Sequence, residues 1–299
     1  MTKNGVWRLK KLSISFISIL AFLLAGCKTL PPVGRTVHPI ELLDNSSGFY
    51  IAIPKAADED LINRIIENNV QNISSSEVKT ISNCVNKIYC SLNRSKSGTE
   101  IQAAIDSSIP RKYLPKILNT KSGWETSKFI PGNSDNEYQI YSYNGVDISF
   151  PSDNITCLGR DIPEMLNKYD SLSSMPAENV EIYSELDDAL VSYLTEAETE
   201  IRFYANKPQS FLTILTGAQL DLKLIDVSGS FVTDPKHPNQ YLLNLDFQFR
   251  NDKYLKAGRT LLTLAFGLTN SQSIVIGTSE LQINGIKLDK KQLYKLLVL

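Results

Sequence analysis

The stretch QYLLNLDFQFR (240–250) carries the pattern that most restricts the fold of this 299-residue chain. Its apolar and polar residues alternate one by one: Leu243, Leu245, Phe247 and Phe249 against Asn244, Asp246, Gln248 and Arg250. Successive side chains of a β-strand point to opposite faces of the sheet. The pattern therefore predicts a strand in a sheet with one buried face and one wetter face, which is typical of antiparallel sheets.

A second pattern, a β-rich run followed by proline and then by apolar residues at helical spacing, recurs at 48–70, 99–118, 154–169 and 199–215. In the first copy, Asp58 stands where a helix N-cap is expected. The second and fourth copies both begin Thr-Glu-Ile and place an aromatic–Leu pair three residues after a proline. This similarity suggests a duplicated half, although strand–Pro–helix junctions are also common in unrelated α/β proteins.

The remaining segments complete the predicted fold. We expect strands at 219–232, 273–277 and 280–288, the last with a turn at Asn284-Gly285, and a helix at 289–299. The run 255–270 is compatible with a helix or a strand, and we favour a helix, at 258–269. His237 falls in the polar loop 234–239. The prediction is an α+β fold, a mixed and largely antiparallel sheet with amphipathic helices packed on it. We expect a single body over 48–299; a duplication would divide it into halves at 48–175 and 176–299.

The first 27 residues indicate export and lipidation. Four basic residues precede an apolar run, residues 12–24, that is too short to span a bilayer. Such a basic start followed by a short apolar run is typical of a signal peptide, here residues 1–26. Leu24-Ala25-Gly26-Cys27 resembles the lipobox of bacterial lipoproteins. The resemblance implies cleavage between Gly26 and Cys27 and acylation of Cys27, for example with palmitate. The alternative is an ordinary signal peptide with a chance cysteine.

Residues 27–47 hold the anchor and a proline-bearing segment, which we interpret as an extended tether that includes His38. Two or three acyl chains hold a protein stably at a bilayer. Lys28 follows the cysteine in place of the aspartate that signals inner-membrane retention in enterobacterial lipoproteins. We therefore expect the periplasmic face of the outer membrane, with the periplasmic face of the inner membrane as the alternative.

Charge and cysteine content exclude several classes of function. Residues 1–26 contain four basic and no acidic side chains, so their removal takes the net charge from −1 to −5. Such a body lacks the basic excess of a nucleic-acid-binding protein. Cys84, Cys90 and Cys157 allow at most one internal disulfide, and small core residues are the favoured interpretation. The two histidines are far apart, so we expect no metal site and no cofactor.

No motif for catalysis occurs in the sequence: there is no G-x-S-x-G, H-E-x-x-H, Walker loop or G-x-G-x-x-G. The acidic residues of 185–200 could supply the pair of carboxylates that a glycosidase needs. Several of them flank an apolar stripe, however, so we interpret them as the solvated face of a helix. Trp124 is either a ligand-stacking residue or, more in keeping with its place beside a turn, a core anchor. We therefore expect that this protein is not an enzyme.

Amphipathic helices are the remaining functional feature, at 58–70, 110–119, 185–197, 258–269 and 289–299. Such helices normally pack their apolar face on a core, but they can also lie in a lipid interface. The helix 258–269 has little polar face. Its candidates for membrane contact are Leu261, Leu262, Phe266 and Leu268.

The tethered body with repeated strand–Pro–helix units, together with the run GRTLLTLAFGLTNSQSIVIGTSELQING (258–285), resembles the spirochaetal (treponemal) outer-membrane-associated lipoproteins. The resemblance implies an α/β body, anchored on the periplasmic side of the outer membrane, whose amphipathic helices enter the bilayer and perturb its permeability.

Two functions follow as hypotheses. The first is a non-enzymatic envelope protein that engages the outer membrane through amphipathic helices and alters its permeability. The second is a tethered periplasmic module that binds or assembles a protein or an apolar or lipid ligand. Burial of the stripe in 258–269 would favour the second.

Overall fold

The computed structural model describes residues 34–70, 73–95, 98–110, 112, 114–132, 134–160, 162–177, 182–217, 219–268 and 272–297. Cys27, Gly26 and the rest of the predicted signal peptide and cleavage site lie outside the described residues. The chain divides into a main unit, Val37–Leu172 with Ile182–Leu299, and a small unit, Met1–Thr36 with Ser173–Glu181. In the small unit, Gly34 and Pro176 form an isolated antiparallel bridge.

Twelve strands are found in the described residues: β1 (Phe49–Pro54), β2 (Val85–Ser95), β3 (Gly98–Ser107), β4 (Glu125–Phe129), β5 (Tyr138–Tyr143), β6 (Val146–Ser152), β7 (Ile155–Gly159), β8 (Ile201–Ala205), β9 (Leu224–Thr233), β10 (Gln240–Phe249), β11 (Ser273–Ile276) and β12 (Glu280–Asp289). They form one sheet in the order β11-β12-β10-β9-β8-β1-β2-β3-β7-β6-β5-β4. Each strand pairs with its neighbours in antiparallel fashion. The α+β class with an antiparallel sheet is confirmed.

The helices are α1 (Glu59–Asn69), α2 (Ser75–Asn83), α3 (Leu114–Ile117), α4 (Ile162–Ser173), α5 (Asp188–Thr195), α6 (Pro208–Thr216), α7 (Asp252–Phe266) and α8 (Lys290–Leu297). The side chain of Asp58 caps α1 by accepting a hydrogen bond from the backbone N–H of Leu61 at 2.9 Å. The helix predicted at 258–269 is present as α7, but it begins six residues earlier, at Asp252, directly after the Asn251 cap. The helix predicted at 110–119 is reduced to the single turn of α3.

Two apolar clusters lie on opposite faces of the sheet, because alternate residues of each strand point to opposite sides. The larger cluster includes Phe49 and Ile51 of β1 and lies under α1, α2, α3, α6, α7 and α8. The smaller one includes Tyr50 and Ala52 of the same strand and lies under α4 and α5. The alternation predicted for 240–250 is confirmed, since the odd-numbered residues from Tyr241 to Phe249 are buried and the even-numbered ones are more exposed.

From the neighbouring strands β1 and β8, the sheet continues through β2, β3, β7, β6, β5 and β4 on one side and through β9, β10, β12 and β11 on the other. The first and fourth copies of the strand–Pro–helix pattern, β1–α1 and β8–α6, therefore lie side by side where the two series of strands begin. The second copy, β3–α3, does not correspond in position to the fourth. The Thr-Glu-Ile similarity between 99–118 and 199–215 therefore does not align equivalent strands.

Two local predictions are wrong. The extended tether predicted over 27–47 is not found at 37–43, because Ile40, Leu42 and Leu43 are fully buried in the smaller cluster; residues 27–33 lie outside the described part of the chain. His38 caps the 3₁₀-helix Pro39–Leu42 in that segment. The turn expected at Asn284-Gly285 is instead an irregularity within β12, where the pairing register with β10 shifts and Gly285 takes a φ of 73°.

Candidate functional site

An apolar cavity of about 310 Å³ lies between the sheet and the helices α1, α2 and α3. Its apolar lining comes from Ile65, Ile66, Val70, Ile81, Val85, Ile88, Ile105, Ile109, Pro110, Leu114, Ile117, Leu118, Ile148, Phe150 and Leu158. The polar side chains that reach it are Glu77, Thr80, Lys116 and Thr156, together with the thiol of Cys84. The site can therefore hold hydrocarbon and offers few groups for directional polar contacts.

The local sequence explains how the walls form. The apolar residues of α1 recur at helical spacing, and its inner members Leu61 and Ile62 pack fully on the sheet. Further along, Ile65 is only half-buried and turns toward the cavity. The helix α2 starts at a capping box, in which Ser74 and Glu77 exchange hydrogen bonds with each other's backbone N–H groups.

The size of the cavity is large for a well-packed interior. Apolar cavities of roughly 150 Å³ stay dry and bind benzene, so this one has about twice that space. The space is thus sufficient for a hydrocarbon chain, and its apolar lining favours an apolar occupant over water.

The three cysteines of the described body are free thiols. Cys90 and Cys157 are buried in the core, where burial raises the pKa of each thiol to about 12. Cys84 ends α2, is half-exposed and lines the cavity. The expectation that Cys90 and Cys157 are small core residues is confirmed.

The candidates for membrane contact are divided by the fold of α7. Leu262 is fully buried (0% exposed), and Phe266 and Leu268 are partly buried against the larger cluster. Leu261 is 41% exposed, and Leu264, which was not among the candidates, is 75% exposed. In this conformation Leu262 does not reach the surface, because it packs into the core, whereas Leu261 and Leu264 do.

Other residues considered from the sequence lie outside the cavity. Trp124 is fully buried and packs against Tyr143 in a tilted arrangement, with 5.4 Å between the ring centroids, as expected for a core anchor. His237 lies in the loop between β9 and β10 and contacts Asp234, with 2.9 Å between Nδ1 and Oδ2. No group of three metal-ligating side chains is assembled in the described part of the chain.

The lining residues were not predicted as a site. The amphipathic stretches 58–70 and 110–119 were recognised, and their apolar residues supply much of the wall. Both stretches are rich in isoleucine and leucine, and the second also contains two prolines within 110–118 that limit the length of a helix there. This combination is the sequence signal that could have indicated a cavity. None of the described helices has the length and apolar character needed to cross a bilayer.

Comparison with known proteins gives the family. Residues 34–294 match the model of the outer membrane-associated lipoprotein TP0453 family. The chain belongs to this family. It is thus an outer-membrane-associated lipoprotein of the spirochaetal type, as the resemblance of 258–285 suggested. The family's description is that of a lipoprotein rather than of an enzyme.

Individual members of the TP0453 family are similar to this chain in sequence and in structure. The chain is 25% identical, over 220 residues, to the outer membrane protein TP0453 of Treponema pallidum (strain Nichols). The aligned region covers 73% of this chain and 71% of that protein. A crystal structure of TP0453, form I, matches with a TM-score of 0.67 at 20% identity, covering 88% of this chain and 97% of that one. Crystal form III matches with a TM-score of 0.65. These structures share the fold.

Proposed function

We propose that this outer-membrane-associated lipoprotein is a non-enzymatic module that holds an apolar ligand, the acyl chain of a lipid, in the cavity under α1, α2 and α3. The observation that carries the proposal is the 310 Å³ cavity with its almost wholly apolar lining. Acylated Cys27 would keep the cavity beside the membrane that supplies the lipid, on its periplasmic face.

The charges at the cavity suggest how a lipid would be oriented. Glu77 and Lys116 are the charged side chains of the lining, one acidic and one basic. Ligand sites of this kind combine apolar walls with a few polar groups that fix orientation. The acyl chain would occupy the apolar interior, and its polar end would lie near these two residues, where charged groups keep contact with water.

The test is binding of a fluorescent fatty acid, measured as an increase in emission on transfer from water. Ile117→Trp adds bulk inside the cavity at a half-buried position, and we expect it to lower affinity about tenfold or more, since each excluded CH₂ is worth about 0.8 kcal/mol. Ile225→Trp makes the same change at a 51% exposed position on β9 and should bind like the parent protein. Equal affinity in all three proteins would contradict the proposal.

A second candidate function, direct engagement of the bilayer with a change in its permeability, is favoured by a different observation. Leu261 and Leu264 of α7 are exposed, as are Ile274, Val275 and Ile276 of the edge strand β11. Arg259 ties the two elements together, since its Nε donates to Ser273 Oγ at 3.1 Å. Dye release from vesicles would support this function. Binding of fatty acid without release would favour the first.

A further inference from the structure

The polar groups that line the apolar cavity differ in how far the fold already uses them. The hydroxyl of Thr80 donates to the carbonyl of Ser76 at 2.8 Å, and the thiol of Cys84 donates to the carbonyl of Thr80 at 3.4 Å. On the sheet, the hydroxyls of Thr156 and Ser107 share a hydrogen bond of 2.8 Å. These groups hold the walls together, so the polar end of a ligand would meet the charged residues of the lining.

The carboxylate of Glu77 is used at the start of α2. Its Oε2 accepts hydrogen bonds from the backbone N–H of Ser74 at 2.8 Å and from the hydroxyl of Ser74 at 2.6 Å. These hydrogen bonds lower the pKa of Glu77, so the group stays ionised at neutral pH. It lies in the first turn of the helix, where the aligned N–H groups carry about half a positive charge. Its negative charge is therefore partly offset within its own helix.

Lys116 belongs to a segment of the opposite charge. Residues 107–124 contain four basic side chains and no acidic one, although the chain as a whole is net negative. Ile109, Leu114 and Leu118 of this segment line the cavity, and Lys116, an exposed residue, brings the positive charge to the same wall. A lysine ammonium has three N–H donors. This wall therefore attracts the anionic end of a ligand more strongly than Glu77 repels it.

The volume of the cavity restricts the ligand further. A cavity of roughly 150 Å³ holds benzene, so the 310 Å³ of this one has space for roughly twelve carbon atoms. That is one alkyl chain rather than two. On the basis of the function proposed above, we propose that the cavity selects a single-chain anionic amphiphile, whose carboxylate or phosphate pairs with the ammonium of Lys116.

The test is displacement of the uncharged dye N-phenyl-1-naphthylamine from the whole chain carrying Cys27→Ser, so that no acyl group of the protein itself competes. The competitors share one alkyl chain and differ in charge: laurate, lauryl alcohol and laurylamine, at about pH 8, where the acid and the amine are both charged. We expect laurate to compete about fivefold more strongly than lauryl alcohol, the upper range for an exposed ion pair. Laurylamine should compete more weakly than the alcohol.

Three variants separate the charges. Lys116→Gln should remove the preference for laurate and leave the affinity for lauryl alcohol unchanged. Glu77→Gln should strengthen the binding of laurate but not of the alcohol, since glutamine can still form the capping box and carries no charge. Lys79→Gln, at an exposed lysine of α2 outside the lining, is the matched control and should keep the preference.

Equal competition by the three amphiphiles would overturn the proposal while leaving the apolar site itself intact. An equal loss of preference in Lys116→Gln and Lys79→Gln would overturn it as well. If neither the dye nor any amphiphile binds, the function proposed above fails, and the selectivity fails with it. Lauroyl lysophosphatidate distinguishes the sources of the anion. Tighter binding than that of laurate indicates the phosphate of a lipid headgroup, and weaker binding indicates the carboxylate of a free fatty acid.

Discussion

Asp58 and Lys290 form an ion pair with 2.8 Å between Oδ2 and Nζ, and their side chains are 1% and 13% exposed. The pair joins the cap of α1 to the first residue of α8. The same carboxylate accepts a hydrogen bond from Tyr241 of β10, and burial raises the pKa of that tyrosine, with the carboxylate adding to the shift. One acidic side chain thus connects two helices and a strand that lie far apart in the sequence.

Replacement of Asp58 by asparagine should lower the free energy of unfolding by about 3 kcal/mol, because Lys290 keeps its charge without a counter-ion in a nearly buried position. Asparagine can still cap α1, so the loss reports the ion pair rather than the cap. Urea denaturation measures it. Lys128→Met, which breaks the exposed pair with Glu137 at 2.8 Å, should cost less than about 1 kcal/mol. Similar losses in the two variants would contradict this account.

Gly258→Ala should destabilise the protein although alanine favours helices by about 1 kcal/mol over glycine. A Cβ at this position of α7 would overlap the ring of Phe249, which is fully buried. Overpacking of this kind costs about 1–3 kcal/mol, so the net change in thermal unfolding should be a loss. Thr260→Ala, on the exposed side of α7, should be neutral or slightly stabilising. A stabilised Gly258→Ala would show that Phe249 can move.

Leu264→Asp should reduce flotation with vesicles while leaving the fold intact, because Leu264 is exposed and burial of a leucine in lipid is worth about 1.5–3 kcal/mol. Leu262→Asp should instead unfold the protein, since it places a charge in the core. Circular dichroism separates the two effects. Ile130→Asp, at another exposed apolar side chain, is the matched control and should float like the parent. Equal flotation of all folded variants would exclude membrane contact through α7.

Cys84 should react with a maleimide in the folded protein, whereas Cys90 and Cys157 should not. The reactive form is the thiolate, and a pKa of about 12 leaves only about one thiol in 10⁴ ionised at pH 8, a fraction that rises with pH. Mass spectrometry of a Cys27→Ser chain counts the labelled thiols, and urea should expose all three.

The position of Cys84 also gives a reporter for the apolar cavity. Since its thiol lines that space, a bound fatty acid should slow its labelling, while labelling in urea should be unaffected. Labelling at the same rate with and without saturating fatty acid would argue against occupancy of the cavity.

The sequence was most informative where a single element determines its own pattern. The alternation in 240–250 predicted β10 and its two faces, and Asp58 was recognised as the cap of α1, since both depend on residues close together in the chain. The helix 258–269 was identified although its start was missed, because Gly258 and the lysines before it obscure the apolar stripe. That glycine is required by Phe249, a residue of another element.

Features that depend on distant contacts could not be predicted in this way. The segment 37–43 looks like a linker because of its proline and its short length, and only the smaller apolar cluster gives Ile40 and Leu42 a place to pack. The irregularity at Gly285 is defined by its partner strand, where Asn244 Oδ1 accepts a hydrogen bond from the N–H of Gly285 at 3.0 Å. The apolar cavity is a space between elements, so no single stretch encodes it.

The pairing of β1 with β8 has a consequence for how the chain reaches its folded state. Phe49 pairs with Ala205 and Ala52 with Arg202, so about 150 residues must be available after β1 before these two strands can join. Until then β1 has an open, apolar edge, which is a site for aggregation. Folding of this chain thus requires that its first half be kept from premature association until the second half has been made.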